Sequence, residues 1–306
     1  MDISPFKLPD AEFWAGNERG SDAIARELVG EHQGVLVDAP SRVDIAHHST
    51  LPIGIYHLGS IRSVAATRLD RFGVVTAMDL WDNRLFAVSG RELEQDTDTI
   101  EPAPRDVMAL PEGDMSTTYA VELRSLLSIP WKQGRYLITI LLRDAVSNRA
   151  AVELVGGVRG TPEMLSVWPP SQVNLATYLP HPNSPELPAA FGIALRPTRV
   201  VDLRKAWQWP IYGAFRLRHS EQVRSGDGTT VVAVHLLLSG ADDGSMDTIS
   251  IGVPCRGDSG GTLMGHFNLD LMPLTLLRAP QTYFITAFSG DVMTAPVPSA
   301  LVAPWF

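Results

Sequence analysis

The amino-acid sequence predicts an all-β protein made of two tandem antiparallel β-sandwich domains. Three observations carry that expectation. Proline (23) and glycine (25) are spread along all 306 residues, which suits many short segments joined by turns better than a few long helices. Apolar residues are 45% of the chain and charged residues 19%, enough for a real core in each of two average-sized domains. Blocks of strand-like sequence also recur in the same order at nearly constant spacing.

Residues 1–50 read as an N-terminal arm. Within it ERGSDAIARELVGE, residues 18–31, is a helix candidate, with Ser21 as cap and Ile24, Leu28 and Val29 on one face. The first sandwich is expected over 51–158. GIYHLGS (54–60), VVTAMDL (74–80) and YAVELRSLL (119–127) are its strand-like blocks. PWKQGRYLITILLRDAVSNRAAVELV (130–155) reads as a hairpin: a turn before Tyr136, a β-branched run, then RDAVSN, whose Asp, Ser and Asn suit a tight connection. Residues 159–206 form a Pro-rich connecting segment, too apolar for a free tether, in which FGIAL or RVVDL could add a strand. The second sandwich is expected over 207–306.

The recurrence links the two. GAFRLRHS (213–220) echoes GIYHLGS, VVAVHLL (231–237) echoes VVTAMDL, and LDLMPL (269–274) echoes VELRSL (121–126). Tyr283, Ile285 and Leu301 each follow Tyr136, Ile138 and Leu154 by 147 residues. This pattern reads as an internal duplication.

Each copy resembles an immunoglobulin-like sandwich. The resemblance rests on VELRSL or LDLMPL, a short corner, and Tyr136 or Tyr283 opening the next strand. It implies that each tyrosine ring is buried and its hydroxyl returns to the backbone at the corner. It covers about two thirds of the chain's length in two blocks, and it implies a fold, not an activity.

The net charge of −9 argues against a nucleic-acid ligand, which needs a positive surface. No run resembles a secretory signal or a membrane span, so no membrane insertion is expected. Cys255 is the only cysteine. No intrachain disulfide can form, and a cytoplasmic location is the simplest expectation.

CRGDSGG (255–261) resembles the nucleophile loop of chymotrypsin-like serine proteases. That resemblance implies Ser259 as nucleophile, His48 as base, an orienting acid that could be Asp79, Asp82 or Asp202, and the Gly257 and Ser259 amides as oxyanion donors. Three features depart from the family. The gap from His48 to Ser259 is long, Thr262 stands where proline is usual, and no IVGG-like activation sequence precedes the histidine. PEGDMSTT, at the matching place in the first copy, has Met115 opposite Ser259. The motif therefore reads first as a Gly/Asp turn leading into a strand.

Other candidates have plain readings as well. His47, His48 and His57 lie close in sequence, yet adjacent His47 and His48 on a strand would face opposite ways, so no metal site is expected. EQDTDTIE (94–101) and ADDGSMD (241–247) carry acids but not the twelve-residue calcium pattern. GGVRG (156–160) lacks the GK[ST] of a phosphate loop. Trp207, Trp209 and Tyr212 could share one face and dock a partner. No cofactor is expected. The sequence thus predicts a noncatalytic binding or assembly protein whose partner is another protein or a second copy, with a serine hydrolase as the alternative.

Overall fold

A computed structural model describes residues 33–94, 107–157, 178–205, 207–218, 223–224, 230–257 and 261–303. The helix candidate at 18–31 lies outside these residues, as does most of EQDTDTIE. The chain divides into two compact units, residues 1–79 with 86–161 and residues 80–85 with 162–306.

The first unit is built from β1 (Gly34–Asp38), β2 (Arg42–Asp44), β3 (Pro52–Ser60), β4 (Gly73–Asp79), β5 (Arg84–Ser89), β6 (Asp114–Glu122), β7 (Gly134–Leu142), β8 (Ala145–Val146) and β9 (Ala150–Val155). One sheet has the order β1-β3-β6. The other runs β2-β9-β7-β4-β5, with β8 on β7. Val35, Val37, Ile53 and Ile55 from the first sheet meet Val75, Ala77, Ile138, Ile140 and Leu154 from the second in one core. This is an all-β, immunoglobulin-like sandwich, with alternate residues of each strand turned inward.

The second unit contains β10 (Gly192–Pro197), β11 (Val200–Asp202), β12 (Pro210–Arg218), β13 (Val223–Arg224), β14 (Thr230–Gly240), β15 (Met246–Pro254), β16 (Arg256–Gly257), β17 (Thr262–Asp270), β18 (Thr282–Ser289), β19 (Val292–Met293) and β20 (Val297–Val302). Its sheets are β10-β12-β17-β16 and β11-β20-β18-β14-β13, with β15 on β14 and β19 on β18. Its core gathers Trp209, Phe215, Phe267, Val234, Ile251 and Ile285.

The boundaries differ from those expected. Both sandwiches start earlier in the chain. β1 and β2 come from the stretch read as an arm, and β10 and β11 from the stretch read as a connector. FGIAL and RVVDL therefore do supply strands. In each unit the early three-residue strand pairs in parallel with the last strand: Val43 opposite Leu154 on β9, and Val201 opposite Leu301 on β20.

The corners repeat bond for bond. In the first unit Leu123 N donates to Leu51 O at 2.8 Å, and Leu51 N donates to Glu122 Oε1 at 2.8 Å. In the second, Leu271 N donates to Trp209 O at 2.8 Å, and Trp209 N donates to Asp270 Oδ1 at 2.7 Å. The turn after β7 ties Ile140 N to Ser147 Oγ at 2.9 Å. The turn after β18 ties Ala287 N to Thr294 Oγ1 at 3.0 Å.

Tyr136 and Tyr283 are fully buried at the starts of β7 and β18. Tyr283 Oη donates to Ala279 O at 3.0 Å and accepts from Gln281 Nε2 at 3.2 Å. For Tyr283 that is the corner clamp implied by the resemblance. Tyr283→Phe leaves the Ala279 carbonyl without its donor and should cost about 1 kcal/mol, read as a lowered urea midpoint with unchanged slope.

One property of the larger sheets was not expected. Val74, Thr76 and Met78 point away from the first core yet are at most 3% exposed. Ala233, His235 and Leu237 do the same in the second unit, at 1–2%. Both faces of β4 and β14 are covered, so these strands read as continuous apolar runs rather than alternating ones. No helix among the described residues is long and apolar enough to cross a membrane.

Candidate functional site

The arms of CRGDSGG form a hairpin. Arg256 stands opposite Met264 and Gly257 opposite Leu263 as β16 turns back onto β17. Gly261 closes the turn with φ +75°, a left-handed conformation that favours glycine. Asp258, Ser259 and Gly260 lie outside the described residues. Cys255, just ahead, donates its thiol to Thr230 O at 3.5 Å, and burial pushes that thiol up to about 11. It is not a thiolate nucleophile near neutral pH.

Of the residues that the protease resemblance offers as partners of Ser259, His48 and Asp79 belong to the other unit, and Asp82 and Asp202 to the same one. His48 follows the turn after β2, where its carbonyl accepts the Trp131 indole N–H at 3.1 Å. Asp79 ends β4 opposite Tyr136 and is 2% exposed.

The tryptophan cluster separates. Trp209 is fully buried, donates Nε1–H to Ser299 Oγ at 2.8 Å, and leans on the Tyr283 ring at 5.3 Å. Trp207 is 85% exposed. Tyr212 is half-buried and stacks on His181 at 4.8 Å. The two tryptophans precede β12, which begins at Pro210, so strand alternation does not place them on one face. A docking surface there has Trp207 but not Trp209.

The other polar candidates serve the fold. His47 Nδ1 lies 3.0 Å from Asp44 Oδ2. The amide of Ala46 and then His47 hold the Asp44 carboxyl below the usual range. Burial raises the Glu122 carboxyl, but hydrogen bonds from Leu51, Ser125 and Arg124 outweigh it and keep it low. In ADDGSMD, Asp243 Oδ1 accepts from Ser245 N and Oγ, and Asp247 Oδ2 accepts from Thr275 Oγ1 at 2.6 Å. His57 Nε2 is 3.3 Å from Thr67 Oγ1. His235 sits between Asn83 O and Ser250 Oγ, each at 2.7 Å. Asn83 belongs to the same compact unit as His235.

One feature escaped the sequence reading. β6 is an edge strand of nine residues, and none of its residues is fully buried. The Leu123 N to Leu51 O and Ile61 N to Gly113 O bonds fix which pairs exchange hydrogen bonds with β3, namely the odd-numbered ones of β6. The backbone N–H and C=O groups of Asp114, Ser116, Thr118 and Ala120 therefore point outward, while the Glu122 carbonyl accepts the Ser125 hydroxyl at 3.2 Å. Among the described residues no strand pairs with that edge. The available signal was DMSTTYAVE itself, uncharged from Met115 to Val121.

No protein-family model matches the chain, and no curated protein matches it. Solved structures do match. One is the crystal structure of chicken CNTN1 FN1-FN3 domains, at 7% identity and a TM-score of 0.19. The match covers 76% of this chain and 54% of that one, so the present chain corresponds to about half of it.

Proposed function

We propose that this chain is a noncatalytic binding or assembly protein made from a duplicated β-sandwich, whose partner is a protein or a second copy of itself. The observation that carries this reading is a contrast. The described acids and histidines of the sequence's metal and calcium candidates hold turns and strands together, while β6 presents outward backbone groups from Asp114 to Ala120 with which no described strand pairs. The recurring corner bonds and the parallel β2–β9 and β11–β20 pairings support the duplication. A reducing, cytoplasmic setting fits the single cysteine, a half-buried thiol raised by burial.

A hydrolase needs its serine hydroxyl within hydrogen-bond reach of an imidazole. A hairpin turn with glycine at a positive φ explains Gly and Asp in CRGDSGG without that requirement. A fluorophosphonate probe decides between the two. Under the noncatalytic reading neither the natural chain nor Ser259→Ala is labelled. Labelling of the natural chain that disappears in Ser259→Ala establishes a hydrolase.

A further inference from the structure

We propose that β6 pairs with β6 of a second copy of this chain, antiparallel about a two-fold axis at Thr117. The inference rests on the assembly reading above and names its surface. An edge strand offers a row of unpaired N–H and C=O groups that another strand can complete, and folded proteins usually blunt such edges. They do so with brevity, charge, proline or a covering element. Between its ends β6 has no charge and no proline, it is nine residues long, and among the described residues no strand covers its outer side. β1 and β10 are five and six residues long, and β2 and β11 three. β15, also nine residues, carries Asp247 and ends at Pro254. β17, which holds the place of β6 in the second unit, pairs with β16 on its outer side and buries Leu263, Phe267 and Leu269. β6 keeps a seven-residue uncharged run, with Met115 40% exposed.

The outward groups set the register. They belong to even-numbered residues, so any antiparallel partner must present its own outward groups opposite them. An axis at Thr118 satisfies this but sets Asp114 across from Glu122 of the second copy. Like charges placed directly opposite each other are destabilising. Moving the axis to Thr117 takes Asp114 away from Glu122 and sets Glu122 across from Glu112, which lies before the strand begins and 4.0 Å from Arg62. Asp114 then exchanges bonds with Ala120 of the second copy, and Ser116 with Thr118 of the second copy. The intervening pairs set Met115 against Tyr119 of the second copy and Thr117 against its own equivalent. Thioether–aromatic and Thr–Thr pairs of this kind are favourable. Because the contact is isologous, it uses both edges at once and closes at two chains.

The test uses the full chain in size-exclusion chromatography with light scattering. The natural chain should have the mass of two chains. Thr118→Pro should have the mass of one and keep its circular dichroism, since the Thr118 N–H points away from β3 and proline removes no existing ladder bond. If that variant does not fold, Thr118→Lys places a charge on the same edge and should have the same effect. In a Cys255→Ser background, Thr117→Cys should cross-link to itself on oxidation. Facing residues of a pair without mutual hydrogen bonds lie about 4.5 Å apart at Cα, within disulfide reach. A natural chain that stays single at tens of micromolar overturns the proposal. So does a two-chain species that persists in a folded Thr118 variant, or that gives no Thr117 cross-link. In that last pair of outcomes the assembly reading survives with a different surface, whereas probe labelling at Ser259 removes that reading by itself.

Discussion

Trp209→Ala is expected to cost the second sandwich about 3–5 kcal/mol, the range for deleting a large aromatic from a packed core. A domain is stable by only about 5–15 kcal/mol, so this one change brings the unit close to unfolding. Several terms combine. The indole is fully buried and belongs to the core cluster that also holds Ile211, Phe267, Leu271 and Leu301. Its N–H is the donor to Ser299 Oγ, which in turn donates to Thr198 O at 2.6 Å. Its ring lies against Tyr283, the corner clamp. Trp209→Phe keeps most of the apolar contact and gives up the N–H, so its cost should be clearly smaller. Trp207→Ala, at an exposed position, should be nearly neutral. Urea midpoints for the three variants test this ranking, and a Trp207→Ala loss matching that of Trp209→Ala would contradict it.

Acid is the second strong lever. Burial lowers His57 and His235 to about 4 from the usual 6.5, with the Asp70 charge opposing it at His57 and the Asn83 hydrogen bond opposing it at His235. Asn83 O can only accept, so His235 Nε2 carries the proton and Nδ1 accepts from the Ser250 hydroxyl. Thr67 Oγ1 donates to Ser63 O at 2.8 Å, which leaves it to accept from His57 Nε2. Both imidazoles are neutral in the folded chain. Their contribution is fully present above pH 6.5, where folded and unfolded forms bind no proton. It is lost as pH falls toward 4, because only the unfolded chain takes up the protons in that window. Each site contributes up to about 3 kcal/mol of that loss. Glu122 acts lower, since its carboxyl is held below its ordinary value of 4.5. Urea midpoints measured from pH 7 to pH 4.5 should fall steadily, and His235→Gln should make the fall shallower. A flat profile would refute both assignments.

Much of the architecture was legible because similar blocks of sequence give two views of each corner. Tyr136 and Tyr283 sit alike after matching strands, and together they marked the crossing that the Tyr283–Ala279 bond now shows. The early strands were harder to see. β2 and β11 are three residues long, too short to display a period, and they are held by parallel pairing with the last strand rather than by a neighbouring turn. Alternation also misled where both faces are covered, as in β4 and β14, since burial there does not alternate with the side-chain direction. Trp207 and Trp209 were read as a pair because their spacing suits a strand, but the extended stretch before Pro210 belongs to a loop. The β6 edge was hidden for another reason: DMSTTYAVE looks like any half-buried strand, and only the sheet order shows which side lacks a neighbour.

The parallel pairing of the second strand with the last has a mechanical consequence. Tension on the two termini of a sandwich pulls β2 against β9, or β11 against β20, along their lengths in opposite directions. The bonds between them are then loaded together in shear instead of one after another, as in peeling. Each unit would resist stretching through a patch of only three facing residues, with Val43 and Leu154 at the centre of one and Val201 and Leu301 at the centre of the other.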